Sequence, residues 1–196
     1  AVMNYEKKLK FIMVQLPELC LEKSEPFKAG FKNIAEIGKE RIRRSLQSVS
    51  TKSNGFKCFK LSSSNFRIWN SNVIDLEDSL DLNQNHILDG RTELDVLYEL
   101  LLKRGIDLAT PIEKREINSK TLYSIGYGAV FACLDDSILA PDLDVITSAI
   151  IEWHEELAPS NDTHIFFKDS AFQDDVVKTN LAAILEQNGL KHVRSL

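Results

Sequence analysis

Histidines, cysteines and paired carboxylates are the side chains of this sequence that could hold a metal ion or perform acid–base chemistry. The four histidines form no HxxxH pair and stand apart from the three cysteines, which gives a zinc site little support. Acidic pairs are the better candidates, because hard cations such as Mg²⁺ prefer carboxylate oxygens. The alternative, which we favour, is that Asp142 and either Asp174 or Asp175 cap helix N-termini. The candidates are Asp135, Asp136, Asp142, Asp144, Asp169, Asp174 and Asp175.

Other catalytic motifs are missing from the sequence or are better explained by structure. There is no Gly-x-Ser-x-Gly elbow, so a hydrolase triad is unsupported. The "GYG" at 126–128 is too short for a phosphate-binding loop, and its flanks, "TLYSI" and "AVFACL", predict a β-hairpin. The basic residues Arg41, Arg43 and Arg44 predict a solvated helix face, with contact to phosphate as the alternative.

Gln15 is the polar residue with the most suggestive position. It lies in the apolar run Phe11 to Leu16, which predicts a parallel strand buried on both faces and ended by Pro17. The carboxyl end of such a strand faces the crevice where α/β proteins hold ligands, so Gln15 could bond a ribose hydroxyl. A buried glutamine bonded to backbone is an equally good interpretation.

The N-terminal elements predict a βαβ-like unit. A helix is expected over Ile34 to Val49, since apolar residues recur there at spacings of three and four. The turn-rich "STKSNG" follows, and Phe56 to Leu61 is the next predicted strand. Leu76 to Leu88 is weakly helical. The sequence "ATPIEKREINSK" predicts a charged connector and a possible subdomain boundary.

Strands and helices alternate in the C-terminal half, which predicts a small α/β layer. Helices are expected over Thr92 to Arg104 and Asp142 to Glu156, the first with a capping box and with Gly105 at its end. A third helix is predicted over Asp174 to Gln187. The remaining predicted strands are "HIFFKD" and "KHVRSL".

Composition predicts a globular intracellular protein. The apolar fraction is 43%, the net charge of the 196 residues is −5, and no apolar run has the length of a membrane span. The excess of acidic residues argues against a protein that binds nucleic acid over its whole surface. A local basic face is still compatible with this net charge. Three cysteines far apart in sequence predict three buried thiols in a reducing compartment.

Several segments together resemble a known enzyme family. "KFIMVQLPE", "FKAGFKNIAEIGKERIRR", "LDGRTELDVLYELLLKRGIDLATPIEK" and "KDSAFQDDVVKTNLAAILEQNGLKHVRSL" resemble the C-terminal part of the modification (Mod) subunit of type III restriction-modification systems. Members are adenine-specific DNA methyltransferases that use S-adenosylmethionine. The resemblance covers nearly the whole chain. The opening "AVMN" also resembles the end of the helix after the family's cofactor loop, so we expect a chain cut from a longer one.

The resemblance implies a fold and a domain organisation. The expected fold is α/β: a partial Rossmann-like methyltransferase sheet followed by a small α/β C-terminal domain. Residues 1–110 would be the end of the methyltransferase domain with connecting helices. Residues 111–196 would provide dimer or partner contacts. The family's Asp-Pro-Pro-Tyr tetrad and Gly-rich cofactor loop do not occur in this sequence, so this chain alone should be inactive.

The resemblance also assigns candidate site residues and partners. Gln15, Leu16 and Pro17 would contact the ribose and adenine of S-adenosylmethionine. Many related methyltransferases have an acidic residue at the place of Gln15, and an amide cannot accept from both ribose hydroxyls as a carboxylate does. The implied partners are DNA, a second Mod subunit and the restriction (Res) subunit, in the cytoplasm and without a membrane. The competing hypothesis is a non-catalytic Rossmann-like interaction module.

Overall fold

The chain folds as two compact units. The computed structural model describes residues 10–48, 55–67 and 87–196. The units are Ala1–Lys60 and Leu61–Leu196, and the second contains an open five-stranded sheet with helices. The predicted α/β class is thereby confirmed at this coarse level. The predicted division at residues 110 and 111 stays a prediction.

The described part of the first unit is helical. Helix α1 spans Glu25–Lys28, and Ser24 caps it by accepting a hydrogen bond from the Phe27 amide. Helix α2 spans Ile34–Ser48 and confirms the predicted amphipathic helix, except that Val49 lies outside the described residues. The Asn33 side chain accepts from the Glu36 amide at 3.0 Å at the start of α2.

The strands predicted for this unit are wrong. Residues 11–16 and 56–61 have no regular secondary structure, and so the predicted βαβ unit does not form. The apolar side chains of the first run lie in solvent instead, with Ile12 94% and Val14 92% exposed. A strand buried on both faces needs neighbouring strands to cover it, and the described residues of this unit supply none. No described residue of 10–60 is buried.

The second unit is built around one mixed sheet. Neighbouring strands follow chain order, so that β1, β2 and β3 form an antiparallel meander, while β4 and β5 run parallel to β3. The parallel connections pass through helices, as that geometry requires. The strands are β1 Ile112–Ile117, β2 Lys120–Ile125, β3 Val130–Cys133, β4 His164–Phe167 and β5 His192–Ser195.

Two tight turns set the register of the meander. The hairpin predicted around "GYG" is confirmed, with Ile125 opposite Val130 and with φ positive at all three turn residues. A Cβ on Gly128 would lie 3.3 Å from Pro159, so that position also favours glycine sterically. The β1–β2 turn has Asn118 and Ser119 at φ of 47° and 66°, as in a type I′ hairpin.

Strand β1 lies in the segment predicted as a connector, and that prediction is wrong. Its charged residues, 113–116, are exposed because β1 is an edge strand. Charged side chains on an edge discourage pairing with other chains. The charge run that suggested a linker therefore belongs to a strand with solvent on one side.

Three helices of the second unit agree with prediction. Helix α3 spans Glu93–Lys103 with the expected Thr92–Asp95 capping box, and Gly105 follows at φ 68°. Helix α4 spans Leu143–Leu157, and helix α5 spans Asp175–Gln187. Most of the weak helix predicted over 76–88 lies outside the described residues. Within the described ranges, no helix combines the length and apolar character needed to cross a membrane.

Helices cover the sheet on both faces. Helices α4 and α5 enclose one hydrophobic cluster, which includes Phe131, Trp153 and Phe167. Helix α3 packs its buried leucines against the other face, on a cluster that includes Ile125 and Phe166. Since burial of apolar surface is the main stabilising term, these two clusters hold the unit together.

Polar contacts fix helix α3 on its face of the sheet. The Tyr123 hydroxyl donates to the Glu93 carboxylate. The pKa of Tyr123 is raised, mainly by burial and then by this hydrogen bond. Glu99 accepts hydrogen bonds from the Ser64 hydroxyl and the Asn65 amide, each at 2.6 Å. Ser64 and Asn65 are therefore held against α3 by charge-assisted hydrogen bonds.

Candidate functional site

The residues predicted to bind the cofactor lie together on the surface of the first unit. Gln15, Leu16 and Pro17 are exposed, and Leu16 is 68% exposed. The Gln15 side-chain amide donates to the Leu16 carbonyl at 3.1 Å. The alternative of a buried glutamine is wrong, since the strand that would bury it does not form. The cofactor-binding role stays a prediction.

Arg41, Arg43 and Arg44 of helix α2 are exposed, in accord with a solvated helix face. Arg44 pairs with Glu40 at 2.8 Å, and Arg43 lies 3.7 Å from the same carboxylate. Exposed pairs one helical turn apart stabilise a helix only slightly. Their charge is therefore partly neutralised within the helix itself.

Several of the candidate magnesium-binding aspartates are engaged in structural contacts. Asp136 pairs with Lys168 at 2.5 Å, and Asp169 pairs with Lys178. Asp174 caps α5 by accepting from the Val176 amide at 2.8 Å, which confirms the capping interpretation for this residue. Over the described ranges, no three histidine, cysteine or acidic side chains are grouped so that they could hold a metal ion.

Asp142 is a cap of a different kind from the one predicted. It precedes α4, but its carboxylate accepts from the Leu139 amide at 2.9 Å and so caps the preceding 3₁₀ turn. Lys120 lies 3.1 Å from the same carboxylate. The backbone hydrogen bond, followed by Lys120, keeps the pKa of Asp142 below its usual value despite some desolvation.

The cysteines differ from one another, and the prediction of three buried thiols holds only for Cys133. Cys20 is half-buried and Cys58 is exposed, because both lie in the first unit, where no described residue is buried. Burial, reinforced by the nearby Asp135 charge, raises the pKa of Cys133 to about 12. The Cys133 thiol is thus protonated at neutral pH and is a poor nucleophile.

The structure also brings two histidines together that the sequence did not suggest as a pair. The rings of His164 and His192 stack with centroids 4.7 Å apart, because β4 and β5 run in parallel and place the two residues opposite each other. His192 Nε2 lies 3.7 Å from the Asp162 carboxylate. The one sequence signal is that both "HIFF" and "HVRS" begin with histidine.

The environment of His164 disfavours its protonated form. Desolvation is the largest cause, and the positive charges of Arg104, His192 and Arg194 add to it, while Asp162 opposes them weakly. The pKa of His164 is therefore lower than usual. Its Nδ1 atom is buried and has no hydrogen-bond partner within the described part of the chain.

Folding stability should consequently decrease as the pH falls from about 7.5 to about 5.5. The unfolded chain accepts a proton at His164 near its ordinary pKa, whereas the folded protein resists it. The free energy of unfolding is thus highest above the unfolded pKa and declines as the pH falls toward the lower folded value. Urea titrations across this range, in buffer without phosphate, measure the slope.

A His164→Gln variant should show a flatter pH dependence over the same range, because it removes the group that takes up the proton. Ser160→Ala changes an exposed side chain of the preceding loop without removing a titrating group, so it should keep the parental slope. Equal slopes for the parent and His164→Gln would contradict the assignment of this dependence to His164.

Comparison with known protein families finds no match to this chain, and comparison with curated proteins finds none either.

Proposed function

We propose that this chain is the C-terminal part of a type III restriction-modification Mod subunit. The parent protein would be an adenine-specific methyltransferase that transfers the methyl group of S-adenosylmethionine to N6 of adenine in DNA. The support is the resemblance of the four quoted segments, which lie in both units of the fold. The expected partners are DNA, a second Mod subunit and the Res subunit, and the expected location is cytoplasmic.

One structural observation carries the proposal furthest. The first unit exposes an apolar run, 11–16, whose composition suits an inner strand but which has no strand partner among the described residues. The apolar side of α2 is only half-buried, and none of its residues is fully buried. Surface of this kind marks a contact with other protein. A methyltransferase sheet completed by further parts of the parent protein would supply that contact.

In the proposed role the chain contributes one side of a cofactor site. The exposed Gln15 amide could bond a ribose hydroxyl, and Leu16 and Pro17 could contact the adenine ring through apolar atoms. These groups suit the ribose and adenine of S-adenosylmethionine in chemical type. When bound in the parent protein, the cofactor would supply the methyl group, and a flipped adenine would receive it at residues outside this chain.

Transfer of labelled methyl groups to mixed-sequence duplex DNA tests the proposal. The 196-residue chain and the longer reading frame that contains it should be assayed side by side. We expect incorporation by the long protein and none by this chain alone, because the tetrad and the cofactor loop are missing here. No incorporation by a folded long protein would overturn the proposal and leave the interaction module.

The predicted site can be examined within the same assay. Gln15→Ala in the long protein should raise KM for S-adenosylmethionine about tenfold, the effect of one lost hydrogen bond to the cofactor. Gln47→Ala, an exposed glutamine near the end of α2, is the matched control and should leave KM unchanged. An unchanged KM in Gln15→Ala would remove Gln15 from the site while leaving the methyltransferase proposal intact.

A further inference from the structure

Four basic side chains converge where strands β4 and β5 meet the end of helix α3. We name Arg104, His164, His192 and Arg194 the β4–β5 basic cluster. His164 lies opposite His192, and two residues further along the strands Phe166 lies opposite Arg194. The Arg104 guanidinium sits 4.8 Å from the centre of the Phe166 ring.

These positions place the cluster on one face of the sheet. Alternate residues of a strand point to the same face, about 6.6 Å apart, and adjacent strands are about 4.8 Å apart. Val193, between the two β5 members, packs into the opposite hydrophobic cluster, which confirms the alternation. The four basic groups therefore surround an area small enough for one anion to contact several of them.

Among the described residues, the arginines of the cluster have no acidic partner. Several other cations of the second unit are paired with carboxylates, among them Arg115 with Glu156 and Lys168 with Asp136. No described carboxylate oxygen lies within ion-pairing distance of Arg104 or Arg194, although each is exposed. The acidic side chain that approaches the cluster is Asp162, which is 3.7 Å from His192.

The cluster is also accessible. The His192 side chain is 40% exposed, and His164 is half-buried at the same end of the sheet. Helix α3 covers Phe166 on this face, whereas β5 is an edge strand with an exposed Arg194. Positive charge that is partly shielded from water and lacks an acidic partner destabilises the protein when nothing is bound. The same charge favours the binding of an anionic ligand.

We propose that the β4–β5 basic cluster binds a phosphate group. Guanidinium groups match phosphate oxygens with paired N–H donors, and a protonated histidine adds a further donor. The phosphate could be a free anion or part of a DNA backbone, since both present the same oxygens. The site follows from these four side chains and does not depend on the methyltransferase proposal.

Titration of the 196-residue chain with inorganic phosphate tests the site directly. Histidine ring signals are followed by NMR at about pH 6, near the ordinary histidine pKa, with chloride holding the ionic strength constant. We expect the His164 and His192 signals to shift together and to saturate. The pKa of His164 should rise when phosphate is bound, because the anion stabilises the protonated ring.

The double variant Arg104→Gln and Arg194→Gln should weaken the apparent phosphate affinity at least about tenfold, since each arginine donates charge-assisted hydrogen bonds. Both side chains are exposed, so folding should survive, and circular dichroism checks this. The matched control is Arg115→Gln, an arginine of the opposite edge strand β1, which stacks on Trp153 on the other side of the sheet. It should bind phosphate like the parent.

A second titration with short duplex DNA distinguishes the sources of the phosphate. Saturating shifts of the same two histidine signals at far lower DNA concentration would identify a nucleic-acid backbone as the ligand. Shifts with inorganic phosphate alone would identify a free phosphate group. Shifts that grow linearly without saturation, or that persist unchanged in the double variant, would overturn the proposal.

Discussion

Replacing Trp153 by alanine is expected to lower the free energy of unfolding of the second unit by about 3–5 kcal/mol. Trp153, a residue of helix α4, is fully buried, with 0% exposure, in the cluster between the helix and the sheet. Its ring meets Phe131 edge-to-face at 5.5 Å, and the Arg115 guanidinium lies 4.2 Å from its centre. The variant loses these contacts and leaves a cavity that a close-packed core cannot fill completely.

Urea unfolding followed by far-ultraviolet circular dichroism measures this loss without relying on tryptophan fluorescence. Ser148→Ala, an exposed position on the same helix, is the control and should change stability by less than about 0.5 kcal/mol. Trp153→Phe should lose less than Trp153→Ala, because it retains a ring and removes an indole N–H that has no described hydrogen-bond partner. A loss below about 1 kcal/mol in Trp153→Ala would contradict the packing described here.

The elements that could be predicted from the sequence are those whose signals are local. Helix α3 is predicted by Thr92, Asp95 and Gly105, and all three residues have the expected capping roles. The β2–β3 hairpin follows from "GYG" between two apolar runs. Capping and turn chemistry act over a few residues, so they are legible without knowledge of the tertiary fold.

Two segments were assigned incorrectly for opposite reasons: one was predicted as a strand and is not, and the other is a strand that was predicted as a connector. The run 11–16 has the composition of an inner strand, but a strand also requires neighbours, and the described residues provide none. Strand β1 has the composition of a linker because its charges, 113–116, face solvent at an edge. In both cases the missing information was the position of the segment in a sheet, which depends on residues distant in sequence.

The same reason explains the outcome for the candidate sites. The carboxylates near helix starts were interpretable locally, and Asp174 is a cap. The pairing of His164 with His192 depends on the parallel register of β4 and β5, which their separation in sequence conceals. The exposed lysines and arginines could not be sorted into paired and unpaired groups before the sheet order was known. The β4–β5 basic cluster is therefore a feature of the structure.

Replacing Leu97 by alanine should remove about 2–5 kcal/mol from the stability of the second unit, through the other face of the sheet. Leu97 is completely buried in the cluster formed by helix α3 with Ile125 and Phe166. Alanine has a higher helix propensity than leucine, so the loss cannot come from the helix itself. It must come from the apolar contacts and the cavity left between helix and sheet.

Helix α3 supplies its own matched control in Leu102, which is 62% exposed on the same helix. Leu102→Ala makes the same chemical change with the same gain in helix propensity, and it should alter stability by less than about 0.5 kcal/mol. Comparison of the two denaturation midpoints isolates the effect of burial. Similar losses in both variants would mean that α3 does not pack on the sheet through Leu97. A large loss in Leu97→Ala with little change in Leu102→Ala, together with the Trp153→Ala result, would show that both faces of the sheet contribute to the stability of the second unit.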